Sequence, residues 1–398
     1  MGVAGVICEY NPFHRGHEWM LQQLREQEMD AIVCAMSGNF VQRGEFAMIN
    51  KESRAEMAVR CGADLVLELP TPYAAATAEA FALGGVALLS QTGVVTHLAF
   101  GSECGDVGAV QRAAQVLDTP EYAAALRARL SQGDTFAVCR AWAAAQLTGE
   151  EVAQILNGAN NNLGVEYCRA LQKLQSPLQP CTVHRRGAEH DGGVADGIAS
   201  ASHIRALLLQ SKEEEALSLM PDAAAEVLRR ELAEGRASVD MHRCERAVLS
   251  HLRRMDEADW QMYDGGGEGL YHRMHRAVRQ ENSIDAVLDT VKTKRYTHAR
   301  LRRMLLSAYL EMQPQPLPNK LPYLRVLAAN ETGRALLRQM RERGVPVLTK
   351  AADVTALGNE AQAWLGAEAR RTDLYTLAYP DLRQSSCGAE WRITPKMV

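Results

Sequence analysis

Along the chain, short unbroken apolar runs alternate with stretches in which apolar positions recur at helical spacing. Val3–Glu9 suits a strand buried on both faces, and Trp19, Leu21 and Leu24 after it share one side of a helix. Ala31–Met36 predicts a second strand and Glu52–Arg60 a helix; Asp64–Leu69 predicts a third strand, stopped by Pro70. Ala74–Leu89 reads as one long alanine-rich helix and His97–Phe100 as a fourth strand. Strands interleaved with helices at this spacing predict an α/β fold, a doubly wound parallel sheet with helices on both faces. Residues 108–175 read mainly as helix, Thr182–His184 as one more strand and Ser202–Leu209 as a further helix.

From Pro221 the strand pattern fades. Helical spacing runs through Ala223–Leu232, Arg246–Met255, Leu270–Arg279, Ile284–Thr290 and His298–Met312, with Gly265-Gly266-Gly267 as a loop. Pro314, Pro316, Pro318 and Pro322 mark a connection. The expected organisation is a catalytic domain over residues 1–245 and a mostly α-helical domain over 246–398.

Charge divides at the same place. Residues 1–245 carry 20 Lys+Arg against 31 Asp+Glu and residues 246–398 carry 24 against 17, so a net charge of −4 conceals an acidic half and a basic half. A basic half suits an anionic partner, with nucleic acid the leading candidate. With 47% hydrophobic residues in 398, there is ample material for a core. No apolar stretch is long enough to span a membrane, and Met1–Gly5 lacks the basic flank of a secretory signal. The nine cysteines are scattered and never form Cys-x-x-Cys, which opposes a disulfide framework and a structural zinc site and fits a reducing cytoplasm.

The candidate chemistry sits where the first strand meets the first helix: Cys8-Glu9-Tyr10-Asn11-Pro12-Phe13-His14-Arg15-Gly16-His17. A helix N-terminus presents unpaired N–H groups and positive dipole, which suits phosphate. Gly16 removes a side chain that would block close approach of a nucleotide. His14 and His17, three apart, project from one face and as donors stabilise charge building on a phosphoryl group. Cys8 reads as a buried strand residue rather than a nucleophile.

This block resembles the HIGH-type nucleotidyltransferase superfamily, with its Rossmann-like fold. Ser37–Glu45, Gly62–Pro70, Phe100–Glu103, Asn160–Tyr167, Ala199–Arg205, Thr293–Arg303 and Tyr323–Leu327 extend the match over essentially the whole chain, and together they resemble the bacterial tRNA(Met) cytidine acetate ligases. The resemblance implies ATP-dependent N4-acetylation of the wobble cytidine of elongator tRNA(Met) with free acetate. Acetate attacks the α-phosphate of ATP, pyrophosphate leaves, and the cytidine amine then takes the acetyl group from acetyladenylate as AMP leaves.

The resemblance assigns ATP binding to Ile7, Cys8, Glu9, Tyr10, Asn11, Pro12, Phe13, His14, Gly16 and His17, then Gly101, Asn160 or Asn161, Arg185, Arg186 and Ser202. Asn160 follows Ala159, where the family usually has proline. His14, His17 and Arg205 are the expected catalytic groups. Ser202 is expected to cap the following helix, and Arg205 in its first turn to reach the triphosphate as a planar donor fork. Magnesium is expected with ATP, without a dedicated carboxylate site. Gln42 and Arg43 have three open roles: holding acetate, contacting cytidine, or covering the site. Lys51 and Arg54 are placed near phosphates.

In the basic half, Lys292, Lys294, Arg295, Arg300, Arg302 and Arg303 cluster around Tyr296, with Thr297 expected to cap the following helix. They are the expected tRNA contacts, Tyr296 as a stacking platform; Arg370 and Arg371 are weaker candidates. Two rival readings remain at this stage: an adenylyltransferase acting on a phosphorylated small molecule, and a non-catalytic tRNA-binding protein.

Overall fold

The structure is a computed structural model describing residues 2–134, 136–186, 193–195, 197–264, 269–293, 296–314 and 316–398, except the side chains at 137 and 151. Its centre is an eight-stranded sheet. The strands are β1 (Gly2–Cys8), β2 (Met29–Ser37), β3 (Leu65–Leu69), β4 (His97–Ser102), β5 (Gln179–His184), β6 (Leu324–Ala329), β7 (Val347–Leu348) and β8 (Lys396–Met397). Their order is β7-β6-β3-β2-β1-β4-β5, with β8 beside β6. The five strands from β3 to β5 are all parallel, in register such as Val6 opposite Cys34 on one side and Ala99 on the other.

Period-2 alternation sends the two faces of each strand into different cores. Ala31, Val33 and Ala35 of β2 pack with Val86, Leu89 and Leu98, whereas Ile32, Cys34 and Met36 pack with Leu21, Leu24 and Leu207. Both faces are covered, which is why these strands read as unbroken apolar runs. Helix α1 (Arg15–Glu26) follows β1, and α2 (Lys51–Arg60), α3 (Ala78–Gln91), α4 (Ala159–Lys173) and α5 (Ala201–Leu209) add to the two layers. The helix expected over Ala74–Leu89 is interrupted: a short turn spans Thr71–Ala74, and α3 restarts where the Thr77 side chain accepts the Ala80 N–H.

The described residues of 241–309 form a helical region shorter than the domain expected over 246–398, ending in α6 (His298–Tyr309), whose Thr297 cap accepts the Arg300 N–H. Strand β6 departs from expectation. It is buried at every position and runs antiparallel to β3, with Ala328 opposite Val66. The proline run before it and Arg325 within it interrupt the apolar pattern, which predicts no strand here. Helix α7 (Asn359–Thr376) follows, and its Tyr375 donates to the Ala47 carbonyl at 2.9 Å. The chain thus returns to the first sheet after the helical region, whose core also includes Phe40, Phe46 and Tyr375.

Lys51, expected near phosphates, is instead buried against α7 and the turn beyond it. Its ammonium lies 2.6 Å from both Glu68 and Glu390. Arg54 is also fully buried, donating to the carbonyls of Glu9, Ser37, Gly38 and Ile49. Both are structural cations. The nine cysteines are free, and burial raises the Cys8 thiol well above its ordinary range. Among the described residues no helix is long and apolar enough to cross a membrane.

Candidate active site

Strand order 3-2-1-4-5 reverses between β1 and β4, and open α/β sheets bind ligands outside the carboxyl ends of strands at that point. A cavity of about 230 Å³ opens there. Ile7, Cys8 and Glu9 reach it from the end of β1, Tyr10 and Asn11 from the turn, and Gly101 from β4. His14, His17, Asn160, Arg185 and Arg205 add polar groups to its lining.

The two histidines are held by the first turn of α1. His14 is the N-cap: its Nδ1 accepts the Gly16 N–H at 3.0 Å, while His17 Nδ1 accepts the His14 N–H at 3.3 Å. An imidazole whose Nδ1 accepts carries its proton on Nε2, so each ring offers an Nε2–H donor. The rings stack with centroids 3.7 Å apart. Burial, with His14 and Arg185 beside it, holds the His17 pKa well below its usual value, so His17 is neutral at physiological pH. A side chain on Gly16 would meet the His14 ring 2.9 Å away. Gly16 therefore seats His14, and its effect on the ligand is indirect. Pro12 and Phe13 are buried in the turn and shape it from behind.

The other predicted residues divide by where they point. Arg205 donates to the Asn11 carbonyl at 2.8 Å, tying α5 to the first turn across 194 positions of sequence. Arg185 donates to Asn160 Oδ1 at 3.1 Å, and Asn160 Nδ2 donates to Glu103 at 2.7 Å. Asn161 turns away: its Oδ1 accepts the N–H groups of Glu103 and Cys104, closing the loop after β4. Arg186 lies 4.2 Å over the Trp19 ring, outside the cavity lining. The cap of α5 is Ser200, which accepts the His203 N–H, not Ser202; Ser202 sits in the first turn with its hydroxyl 3.3 Å from that of Ser200.

Sequence reasoning missed the apolar wall of Phe81, Phe100, Leu163 and Tyr167. Its only local signal was Gly164, where a side chain would strike the Phe100 ring at 2.6 Å. The hairpin formed by Phe40–Val41 and Glu45–Phe46 closes the cavity with Gln42, Arg43 and Glu45. Its Gln42 N–H donates to Glu9 Oε1 at 2.7 Å.

This hairpin also meets the basic cluster. Arg302 pairs with Glu45 at 2.6 Å, and Arg303 donates to the Gln42 carbonyl at 3.3 Å. Arg303 also lines, with Arg300, Arg371, Pro72, Tyr263 and Met304, a groove of about 850 Å³. Tyr296 is buried, with the Arg300 guanidinium 5.1 Å from its ring centroid, so it is no open platform for a base. Lys292 is exposed; Lys294 and Arg295 lie outside the described residues. Gly44 at the hairpin tip has φ +77°, and a side chain there would press within 2.5 Å of the Arg303 nitrogen. Gly44→Ala is expected to cost about 1–3 kcal/mol in backbone strain, before any clash, and to loosen the hairpin. Faster proteolysis there and reduced activity would show it; unchanged values would mean that the close approach is dispensable.

A crossover sheet with a histidine-capped helix at its switch point defines a nucleotidyltransferase of the HIGH type. The family described as HIGH Nucleotidyl Transferase matches residues 1–389. More narrowly, the chain belongs to the tRNA(Met) cytidine acetate ligase family. The ligase of that name from Caldanaerobacter subterraneus subsp. tengcongensis is 36% identical over 390 residues, covering 95% of this chain and 96% of the relative. The one from Thermotoga petrophila is 36% identical over 410 residues, covering 97% and 98%. The crystal structure of Thermotoga maritima TmcAL bound with alpha-thio ATP superposes with TM-score 0.92 at 34% identity, each chain covered in full. The apo form gives 0.93.

Proposed function

We propose that this protein is an ATP-dependent tRNA(Met) cytidine acetate ligase. It activates acetate as acetyladenylate and transfers the acetyl group to N4 of the wobble cytidine of elongator tRNA(Met). The carrying observation is the cavity at the switch point, whose lining includes two imidazoles with Arg185 and Arg205. Adenylate formation moves negative charge onto departing pyrophosphate, and a preorganised set of N–H donors and cations favours that movement. No protein nucleophile is needed, because ATP supplies the activation.

ATP is assigned to the cavity lining, with Asn160 rather than Asn161 as the amide in reach. Among the described residues no group of three or more histidine, cysteine or carboxylate side chains could hold a metal ion. We therefore assign magnesium to the triphosphate oxygens and water rather than to a protein cage. The tRNA is assigned to the basic half, residues 246–398, with the groove at Arg300, Arg303 and Arg371 next to the hairpin. Its substrates, ATP and tRNA, assign the enzyme to the cytoplasm.

The deciding assay supplies purified protein with ATP, labelled acetate and unmodified tRNA(Met). Label entering the tRNA only with ATP supports the ligase; AMP attached to a small phosphate ester instead, with no transfer, would overturn it. For the RNA surface, replacing Lys292 and Arg300 with glutamine should weaken tRNA binding. For every phosphate that a removed cation had neutralised, the log–log salt dependence should flatten by about 0.7–0.9. An unchanged slope would move the tRNA elsewhere.

A further inference from the structure

Transfer to cytidine creates a proton that must leave. The N4 lone pair forms a bond to the acetyl carbonyl carbon, the bond from that carbon to the adenylate oxygen breaks with its electrons going to AMP, and the nitrogen sheds one hydrogen. A base near the amine makes this step faster, because the exocyclic nitrogen shares its lone pair with the ring and is a weak nucleophile.

The cavity contains few candidates. His14 and His17 each spend Nδ1 on a backbone N–H of the helix cap, so neither accepts a proton without breaking that cap. Burial pushes up the pKa values of Cys8, Tyr10 and Tyr167, which keeps all three protonated. Among the described residues two carboxylates line the cavity, and Glu45 is committed to Arg302. That leaves Glu9. Its Oε1 is fixed by the Gln42 N–H at 2.7 Å, and no hydrogen bond to Oε2 is made among the described residues. A carboxylate anchored through one oxygen at a cavity wall has its second oxygen placed for proton transfer.

We propose that Glu9 is the general base of acetyl transfer, taking the N4 proton of cytidine on Oε2 as AMP leaves and releasing it to solvent afterwards. The assignment rests on the ligase reading above. Burial raises the pKa of Glu9 against the opposing pull of the Gln42 N–H, Arg205 and Arg54, which brings a carboxylate closer to the pH at which it must work. The anchor also has a route to the RNA surface: Arg303 holds Gln42 by its carbonyl, and Gln42 holds Glu9 by its N–H.

The test separates the two half-reactions. Glu9→Gln keeps an acceptor for the Gln42 N–H and cannot take a proton. Acetate-dependent ATP–pyrophosphate exchange measures adenylation and a correctly folded site; single-turnover transfer to tRNA(Met) from preformed acetyladenylate measures the second step. We expect transfer in Glu9→Gln to fall about 10²–10⁴-fold further than exchange. Transfer by the native enzyme should decline with unit slope as pH falls through the Glu9 pKa. That limb should vanish in Glu9→Gln and persist, at a lower rate, in Glu9→Asp. Equal losses in both half-reactions, or an acidic limb unchanged in Glu9→Gln, would overturn the assignment. If the native enzyme shows no acetate-dependent exchange, the ligase reading itself fails, and this proposal with it.

Discussion

Replacing His17 with alanine is expected to slow acetyladenylate formation by about 10²–10³-fold, the usual effect of removing one fixed donor from a transition state. The donor is fixed because His17 Nδ1 is occupied by the His14 N–H, which commits Nε2–H to the cavity. A neutral imidazole donates without presenting a competing charge to the arginines, and its depressed pKa keeps it neutral. The variant should still bind tRNA, since the basic groove lies beyond the hairpin. Pyrophosphate release measured beside tRNA filter binding checks this. Equal loss of both in a folded protein would remove the division between the two surfaces.

The largest stability effect is expected at Lys51. Its ammonium sits between the Glu68 and Glu390 carboxylates, and all three groups are withdrawn from solvent. Lys51→Met would take the ammonium from both buried carboxylates and leave Glu390 only the Arg325 cation at 3.8 Å, a loss of about 3–5 kcal/mol and about 4–6 °C in thermal midpoint. Even with Lys51 present, burial pushes the Glu68 pKa up to about 7, a pull the ammonium only partly offsets. Without Lys51 the folded-state carboxylate pKa rises further above its unfolded value, so the folded state binds more protons between the two. Stability of the variant must then fall as pH rises through that window. The deficit should be smaller near pH 5 than near pH 8 in urea titrations; a pH-independent deficit would point to lost packing alone.

The alternation of the first hundred residues located four strands of the sheet to within two residues at every end, because strands buried on both faces leave an uninterrupted apolar signature. His14 and His17 were legible for a similar reason, since a helix start is local. What stayed hidden was long-range. Arg205 reaches the first turn from 194 residues away, and Lys51 finds Glu390 across 339. A lone cation in a polar stretch reads as a phosphate ligand until its buried partners are known. Strand β6 was obscured by Arg325, whose Nη2 donates inside the fold to the Glu390 and Ile393 carbonyls. The choice between Asn160 and Asn161 likewise needed the loop after β4, which Asn161 closes with its own side chain.

The antiparallel seating of β6 on β3 bears on how the protein is born. During synthesis the hydrogen-bonding edge of β3 has no partner until residues 324–329 emerge, roughly 260 residues after β3 itself. Such a bare edge is a template for pairing with other chains, and closing so long a loop is slow. The helical region is made in that interval, so the nascent chain carries its basic helices before its sheet is sealed.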